Sequence, residues 1–383
     1  MTALFKRTGL RNLALANRIV ISPMCQYSAH NGEATDWHMI HLGHLALSGA
    51  GLMIIEATAV EPDGRITPSD LGLWDDATEN ALKPALAAVR RHSGIGVAIQ
   101  LAHAGRKASC DVPWAGGHQI APEEAGGWQT WSASNLPYKD GENPPVALDR
   151  TGLNRVRDAF VAAAERADRL GIDAIELHAA HGYLLHQFLS PLSNTRDDKY
   201  GGSLENRMRF PLEVFDAIRA VFPVEKPIGV RVSATDWVEG GWDIEQTLVF
   251  AEALKARDVD WVDVSSGGLS PHQTISSVPG YQVPFAEAVK AKGLTTFAVG
   301  LITKPQHAED IIASGKADFV ALARGILYDP RWPWKAAVEL GAEIDGPPQY
   351  WRAKPYGVDK LFRASRPMEL LKEEEQPLVG EER

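Results

Sequence analysis

The stretch Glu176 to Pro191, ELHAAHGYLLHQFLSP, sets His178 and His181 three residues apart and places Tyr183 two residues after the second ring. The run before them is apolar, so three hydrogen-bonding rings stand at the end of what reads as a buried strand. Three readings compete. The imidazoles could ligate a metal, but a zinc-protease helix carries H-E-x-x-H, and here the segment is HAAH with no carboxylate between the rings. They could be hydrogen-bonded core residues, the ordinary fate of a single histidine. Or they could form a catalytic cluster whose donors converge on one substrate oxygen, with Tyr183 as a weak acid of pKa about 10.

Other reactive side chains also collect at the ends of apolar runs. SPMCQY follows the first run, with Cys25 and Tyr27, and QLAHAGRK ends the third, with Gln100, His103, Arg106 and Lys107. Arg231 lies in the fifth, SSGG ends the sixth, Gly300 the seventh, and Ala323, Arg324 and Gly325 the eighth. Glycine lets backbone N–H groups approach an anion and arginine adds a forked charge, so the last two ends suit a phosphate. With Gln100 and Arg231 opposite and a thiol beneath, the pattern suits a flat cofactor across the mouth. Flavin mononucleotide (FMN) has that shape. Its pyrimidine edge alternates donors and acceptors that the Gln100 amide can match, and a guanidinium stabilises the negative charge that arises on reduction. A charge pair about 4 Å apart, at an effective dielectric of about 20, is worth roughly 4 kcal/mol. Arg106 and Lys107 read equally well as solvated loop charges, and His41 and His44 as packing.

These ends belong to a regular alternation. Eight near-continuous apolar runs begin at Arg18, Ala50, Ile95, Ile172, Pro227, Val259, Thr295 and Ala317, as expected for strands buried on both faces of a parallel sheet. Between them lie helical patterns such as LNRVRDAFVAAAERADRLG, several of which stop at glycine. Eight strands alternating with eight helices predict an α/β fold, a (β/α)8 TIM barrel whose reactive face is the strands' C-terminal end. No G-x-G-x-x-G follows the first strand, which weakens a doubly wound alternative. The expected organisation is a single barrel over residues 1–345, with an insertion from Arg106 to about Arg150 after strand three. That insertion holds Trp114, Trp128 and Trp131 and is expected to cap the mouth. Residues 346–383 form a C-terminal tail whose acidic end, LKEEEQPLVGEER, is expected to be disordered.

The 383 residues are 45% hydrophobic and 23% charged, with a formal net charge of −10. That balance, without a basic stripe, argues against nucleic acid or an anionic membrane surface as partner. No run reaches the roughly 18 apolar residues of a membrane span, and MTALFKRTGLRNLALANR lacks a signal peptide's apolar core. Two distant cysteines, Cys25 and Cys110, offer no disulfide framework, so a reducing cytoplasm is the expected compartment.

Three blocks carry a family resemblance: SNTRDDKYGGSLENRMRF from Ser193 to Phe210, SPMCQYSA with its tyrosine two residues after the cysteine, and HAAHGY. Over about residues 3–335 the chain resembles the old yellow enzyme family of FMN-dependent ene-reductases, in the thermophilic-like branch that includes xenobiotic reductases. The resemblance implies FMN held tightly without a covalent link, NADPH or NADH as co-substrate, and ping-pong reduction of activated alkenes: enones, enals, maleimides and nitro compounds. It places Ser22, Pro23, Met24 and Cys25 at the flavin's border, Ala57, Gln100 and Arg231 on its ring system, and Gly300, Ala323 and Arg324 on its phosphate. Tyr27, His178, His181 and Tyr183 would line the substrate side. The histidines would bind the carbonyl oxygen, and Tyr183 would protonate the α-carbon as hydride reaches the β-carbon. Cys25 would tune the redox potential, with no need for it as a nucleophile. The branch also implies a homodimer or homotetramer, with Tyr350, Trp351 and Arg352 as candidates to enter a neighbouring site. The remaining rival in this fold is an aldolase or isomerase that handles a phosphorylated substrate without flavin; a Schiff-base version needs a strand lysine, and no strand interior offers one.

Overall fold

A computed structural model of the protein describes residues 2–364. Eight parallel strands close into a barrel: β1 Ile19–Ile21, β2 Leu52–Ala59, β3 Gly96–Ala102, β4 Ala174–Ala179, β5 Ile228–Ser233, β6 Trp261–Ser265, β7 Thr296–Ala298 and β8 Phe319–Leu322. Each strand lies beside its neighbours in the chain, and β8 closes on β1 with Val320 opposite Ile19 and Leu322 opposite Ile21. Every residue of the eight strands is buried. With both faces covered there is no solvent side to demand a polar residue at alternate positions, which is why the runs read as unbroken.

The connecting helices are α1 Asp36–Ala46, α2 Asp76–His92, α3 Arg150–Arg169, α4 Leu204–Val221, α5 Ile244–Lys255, α6 Val283–Lys290, α7 Pro305–Ala313 and α8 Trp332–Glu339. Side chains of Asp75, Asp149, Ser203 and Asp243 accept a first-turn N–H of α2, α3, α4 and α5 and so fix where each begins. On α3 the buried residues Leu153, Val156, Phe160, Ala163, Ala164 and Ala167 form one stripe turned to the barrel.

The lumen has its own core. Trp261 stacks on Phe297 at 5.4 Å, and Phe297 meets Phe319 at 4.8 Å, contacts worth about 0.5–1.5 kcal/mol each beyond the area they bury. Gly229 makes room for this, since a Cβ there would stand 1.9 Å from the Trp261 ring. A hairpin, Thr8–Leu10 with Leu13–Leu15, adds Leu10 and Leu15 where the strands begin, and closes the lower end. The tail is more regular than its pattern suggests: Ile344–Gly346 pairs in parallel with Phe362–Ala364 around a 3-10 turn at Pro348–Ala353. The acidic end from Leu371 lies outside the described residues. Among those described, no helix is long and apolar enough to cross a membrane.

Candidate active site

β4 ends in a turn that consecutive left-handed residues make, His181 at φ 56° and Gly182 at φ 73°. Tyr183 then leads into a short buried helix, Leu184–Leu189. A Cβ on Gly182 would lie 2.3 Å from the Gly268 carbonyl oxygen, and one on Gly268 would lie 2.6 Å from the His181 Cα. Two glycines thus let the turn and the loop after β6 touch backbone to backbone. Side chains clamp the same turn from three directions. Ser233 Oγ accepts the His181 N–H at 2.9 Å, and Lys107 Nζ donates to the carbonyls of His181 and Gly268, each at 2.9 Å. His186 Nδ1 accepts the Gly182 N–H at 2.9 Å while its Nε2 faces Asp236 Oδ1, also at 2.9 Å. Gln187 ties in the next strand end, donating to the carbonyls of Gly182 and Ala104 and accepting from the Arg106 N–H.

The clamped turn brings the three rings together. His178 lies 5.2 Å from His181 and 5.1 Å from Tyr183, edge to face in both cases. Burial, reinforced by Arg231, depresses both imidazoles well below their ordinary range, so they are neutral at physiological pH. Burial, with Cys25 and Tyr27 adding to it, pushes the Tyr183 phenol well up, so it keeps its proton. His181 Nε2 meets Ser265 Oγ at 2.8 Å.

The exit of β1 is positioned by a bulge in β2. Pairing with β3 skips from Ile55 to Ala57, leaving Glu56 as the extra residue. Its carboxylate accepts the Gln26 N–H at 2.8 Å and faces His38 Nε2 at 3.4 Å. This holds the loop Ser22–Tyr27, where Tyr27 is left-handed at φ 49°. Burial raises the Cys25 thiol and the Tyr27 phenol, which interact, and buried Asp70 behind them adds to both shifts; burial also lifts Asp70 itself to about 7.

Across the lumen top, Ala57 and Gln100 are register partners. Gln100 Nε2 donates to Glu176 Oε1 at 2.8 Å, Trp261 Nε1 donates to Glu176 Oε2 at 3.2 Å, and Arg231 Nε stands 3.3 Å from Asp263 Oδ2. Burial pushes both carboxyls up, Glu176 to about 8 with Asp263 adding to the rise, while Arg231 works against it. Burial thus opposes charge on both carboxyls, while the N–H donors of Gln100 and Trp261 hold the two Glu176 oxygens in place.

Beyond β7 and β8 a cavity of about 200 Å³ opens between Ser265, Tyr281, Gln282, Gly300, Ala323 and Arg324. Gly300 is at φ 124°, which only glycine adopts readily. Around the mouth Ser22 Oγ and His178 Nδ1 are buried without a hydrogen-bond partner in the chain. An unmet buried polar atom costs about 1–3 kcal/mol, so two at one mouth mark a place built to receive a polar ligand. Together with the glycine-lined cavity and its arginine, these residues fit the flat, phosphorylated ring expected there.

The insertion is tied to the loops at this end. The indoles of Trp128 and Trp131 donate to the Asp63 carbonyl and to Asp63 Oδ2, at 3.1 and 3.2 Å, pinning the cap to the loop after β2. Arg106 and Lys107 require correction: they are not solvated loop charges. Arg106 is buried and donates to the carbonyls of Leu136, Pro137 and Leu269. Lys107 is held between the Tyr183 and Tyr138 rings, 5.0 and 4.8 Å from their centroids. Sequence reasoning noted Ser265 only within SSGG and passed over Gln282, Asp263 and Asp236; an acidic residue inside an apolar strand run was the available signal for Asp263. His41 and His44 pack edge to face at 5.8 Å. Tyr350 shares a hollow with Leu47 and His92, at the ends of α1 and α2 that lead into the strands' beginnings, away from the chain's own mouth.

Comparison with known proteins bears on the family and the fold. Residues 3–343 match the NADH:flavin oxidoreductase / NADH oxidase family. The chain is 44% identical to an NADPH dehydrogenase of Geobacillus thermodenitrificans, over 92% of this chain and 98% of that protein. It is also 44% identical to an NADH:flavin oxidoreductase of Gibberella zeae, over 90% of this chain and 87% of that protein. Among solved structures, morphinone reductase superposes with a TM-score of 0.73 at 28% identity, covering 94% of this chain and 96% of that one.

Proposed function

The chain belongs to the NADH:flavin oxidoreductase / NADH oxidase family, NAD(P)H-dependent flavin oxidoreductases whose cofactor is FMN, and from that premise we propose that it reduces carbon–carbon double bonds conjugated to an electron-withdrawing group. Membership leaves no room for the flavin-free aldolase alternative. When bound, FMN supplies the hydride that reaches the β-carbon, having taken it from NADPH or NADH. The residues that would hold it are Ser22, Pro23, Met24 and Cys25 on one side, Ala57, Gln100 and Arg231 beneath, and Gly300, Ala323 and Arg324 at the phosphate.

The chemistry on the substrate belongs to three rings. His178 and His181 donate to the carbonyl or nitro oxygen as neutral imidazoles, drawing electrons from the β-carbon and stabilising the negative charge that builds on that oxygen. Ser265 sets the tautomer of His181. The Gln282 Oε1 acceptor already takes the Ser266 hydroxyl at 2.6 Å and lies 3.5 Å from Ser265. We assign the Ser265 hydrogen to the nearer acceptor, His181 Nε2 at 2.8 Å, which leaves Nδ1–H as the ring's donor. Tyr183, fully protonated, delivers its proton to the α-carbon. The observation that supports this reading most is the orphaned, buried His178 Nδ1 within a rigid cluster of three rings above Arg231.

Assembly as a homodimer or homotetramer belongs to the same proposal, since Tyr350 and Trp351, braced by Trp334 and by the Gly346 carbonyl on the flank away from their own mouth, stay half exposed where another copy could meet them. We assign the cytoplasm on the two unpaired thiols. The test is to follow the two halves of the cycle separately. Tyr183→Phe should leave reduction of the flavin by NADPH intact and slow the alkene half by about 10²- to 10⁴-fold, the usual worth of a positioned acid. Equal slowing of both halves would remove Tyr183 as proton donor. A colourless preparation that FMN cannot restore would end the whole reading.

A further inference from the structure

We infer that Trp114 is a specificity-determining wall of the substrate pocket, giving the site a preference for activated alkenes that carry a flat aromatic substituent; the inference rests on the alkene-reductase reading of the same site. Three tryptophans lie in the cap, and two have structural work. Trp128 and Trp131 spend their indole N–H groups on Asp63 and lie beneath the guanidinium groups of Arg65 and Arg155, at 5.0 and 4.9 Å. Trp114 has none of this. Its side chain is 72% exposed, and its one aromatic partner is Tyr27, met edge to face at 5.8 Å.

The ring is exposed but its backbone is not loose. Trp114 sits on the 3-10 turn Pro113–Ala115, at the tip of a clasp in which the Asp111 N–H donates to the His118 carbonyl and the Ile120 N–H to the Ser109 carbonyl, at 2.8 and 2.6 Å. Within the tip the N–H groups of Ala115 and Gly117 both donate to the Val112 carbonyl. A large apolar ring on a braced tip, turned to a residue of the substrate side, is placed to receive something flat. A second cap aromatic is close by, because Lys107 Nζ stands 4.8 Å from the Tyr138 ring and 5.0 Å from the Tyr183 ring. In this reading Tyr27 and Tyr183 form the inner rim of the mouth and Trp114 and Tyr138 the outer one. A small alkene reaches only the inner pair, whereas an aryl group attached to it projects to the outer one.

The experiment compares wild type, Trp114→Ala and Trp114→Phe as FMN-loaded enzymes. N-phenylmaleimide and N-methylmaleimide serve as substrates, and 2-naphthol and phenol as titrants of the flavin's long-wavelength band. Trp114→Ala should raise KM for N-phenylmaleimide about tenfold with kcat unchanged, move KM for N-methylmaleimide and NADPH less than twofold, and bring the naphthol-to-phenol affinity ratio close to one. Trp114→Phe should retain most of the wild-type preference. An unchanged affinity ratio, equal losses on both maleimides, or a loss confined to NADPH overturns the inference. If wild type reduces neither maleimide, the alkene-reductase reading fails by itself, and the affinity ratio alone decides the role of Trp114.

Discussion

Ser265→Ala removes one hydroxyl from β6 and tests whether the His181 ring must be held in one orientation and one tautomer. The serine touches His181 Nε2 at 2.8 Å and is buried. Losing a neutral hydrogen bond costs about 1 kcal/mol net, and leaving the buried nitrogen unmet costs roughly 1–3 kcal/mol. Part of that cost falls on free and liganded protein alike and shows only as lost stability. The remainder appears when a ligand oxygen needs the Nδ1–H that Ser265 guarantees. Taking about 1 kcal/mol for it gives a roughly fivefold weaker complex, at about 1.4 kcal/mol per tenfold. The assay is titration of the FMN-loaded enzyme with a phenol, read from the long-wavelength band, alongside the rate of the alkene half-reaction. Ser265→Thr, which keeps the hydroxyl, should bind within about twofold of wild type. If Ser265→Ala lowers the melting temperature but binds the phenol as tightly as wild type, the tautomer argument is wrong and the serine only braces the barrel.

Three further outcomes follow from the same geometry. Gly182→Ala should melt well below wild type and lose phenol binding, since the left-handed backbone costs about 1–2 kcal/mol and the new Cβ would stand 2.3 Å from the Gly268 oxygen; a wild-type melting temperature would contradict the close approach. Burial lowers the Lys107 ammonium from 10.5 to about 8, so between those values the unfolded chain binds more protons than the folded one and stability must rise with pH. Urea unfolding at pH 8 and 10 should show wild type gaining on Lys107→Met by about 2 kcal/mol, and a gap that does not move would place the amine in water. Burial raises the Cys25 thiol, with Asp70 and Glu56 adding to it, and Cys110 to about 11. At pH 8 neither should react readily with a disulfide reagent such as DTNB until the protein is denatured, and rapid release of one equivalent from native protein would show an activated thiolate.

Much of this site was legible because strand ends are legible. In a barrel the chain leaves each strand at the same face, so Cys25, Gln100, His178, Arg231, Gly300 and Arg324, scattered over three hundred positions of sequence, are gathered as soon as the eight runs are recognised. The runs themselves needed no homologue, because burial on both faces suppresses polar alternation. Arg106 and Lys107 stayed undecided for the complementary reason. A lysine after a strand looks the same in sequence whether it meets water or two carbonyls, and only the fold brings the oxygens of His181 and Gly268, residues 74 and 161 positions away, to one ammonium.

The amino-acid sequence by itself determined the barrel, its open end and the residue types gathered there, since periodicity and turn chemistry are local and are written in consecutive residues. Tertiary structure alone decided what those types do. It left His178 Nδ1 unmet and buried, gave His181 Nε2 to Ser265, lifted Glu176 to about 8 beside Asp263, and set Trp114 against Tyr27. Proton affinity, tautomer and the shape of a pocket depend on distances of a few ångströms between strands far apart in the chain, and those distances exist only after the sheet has closed.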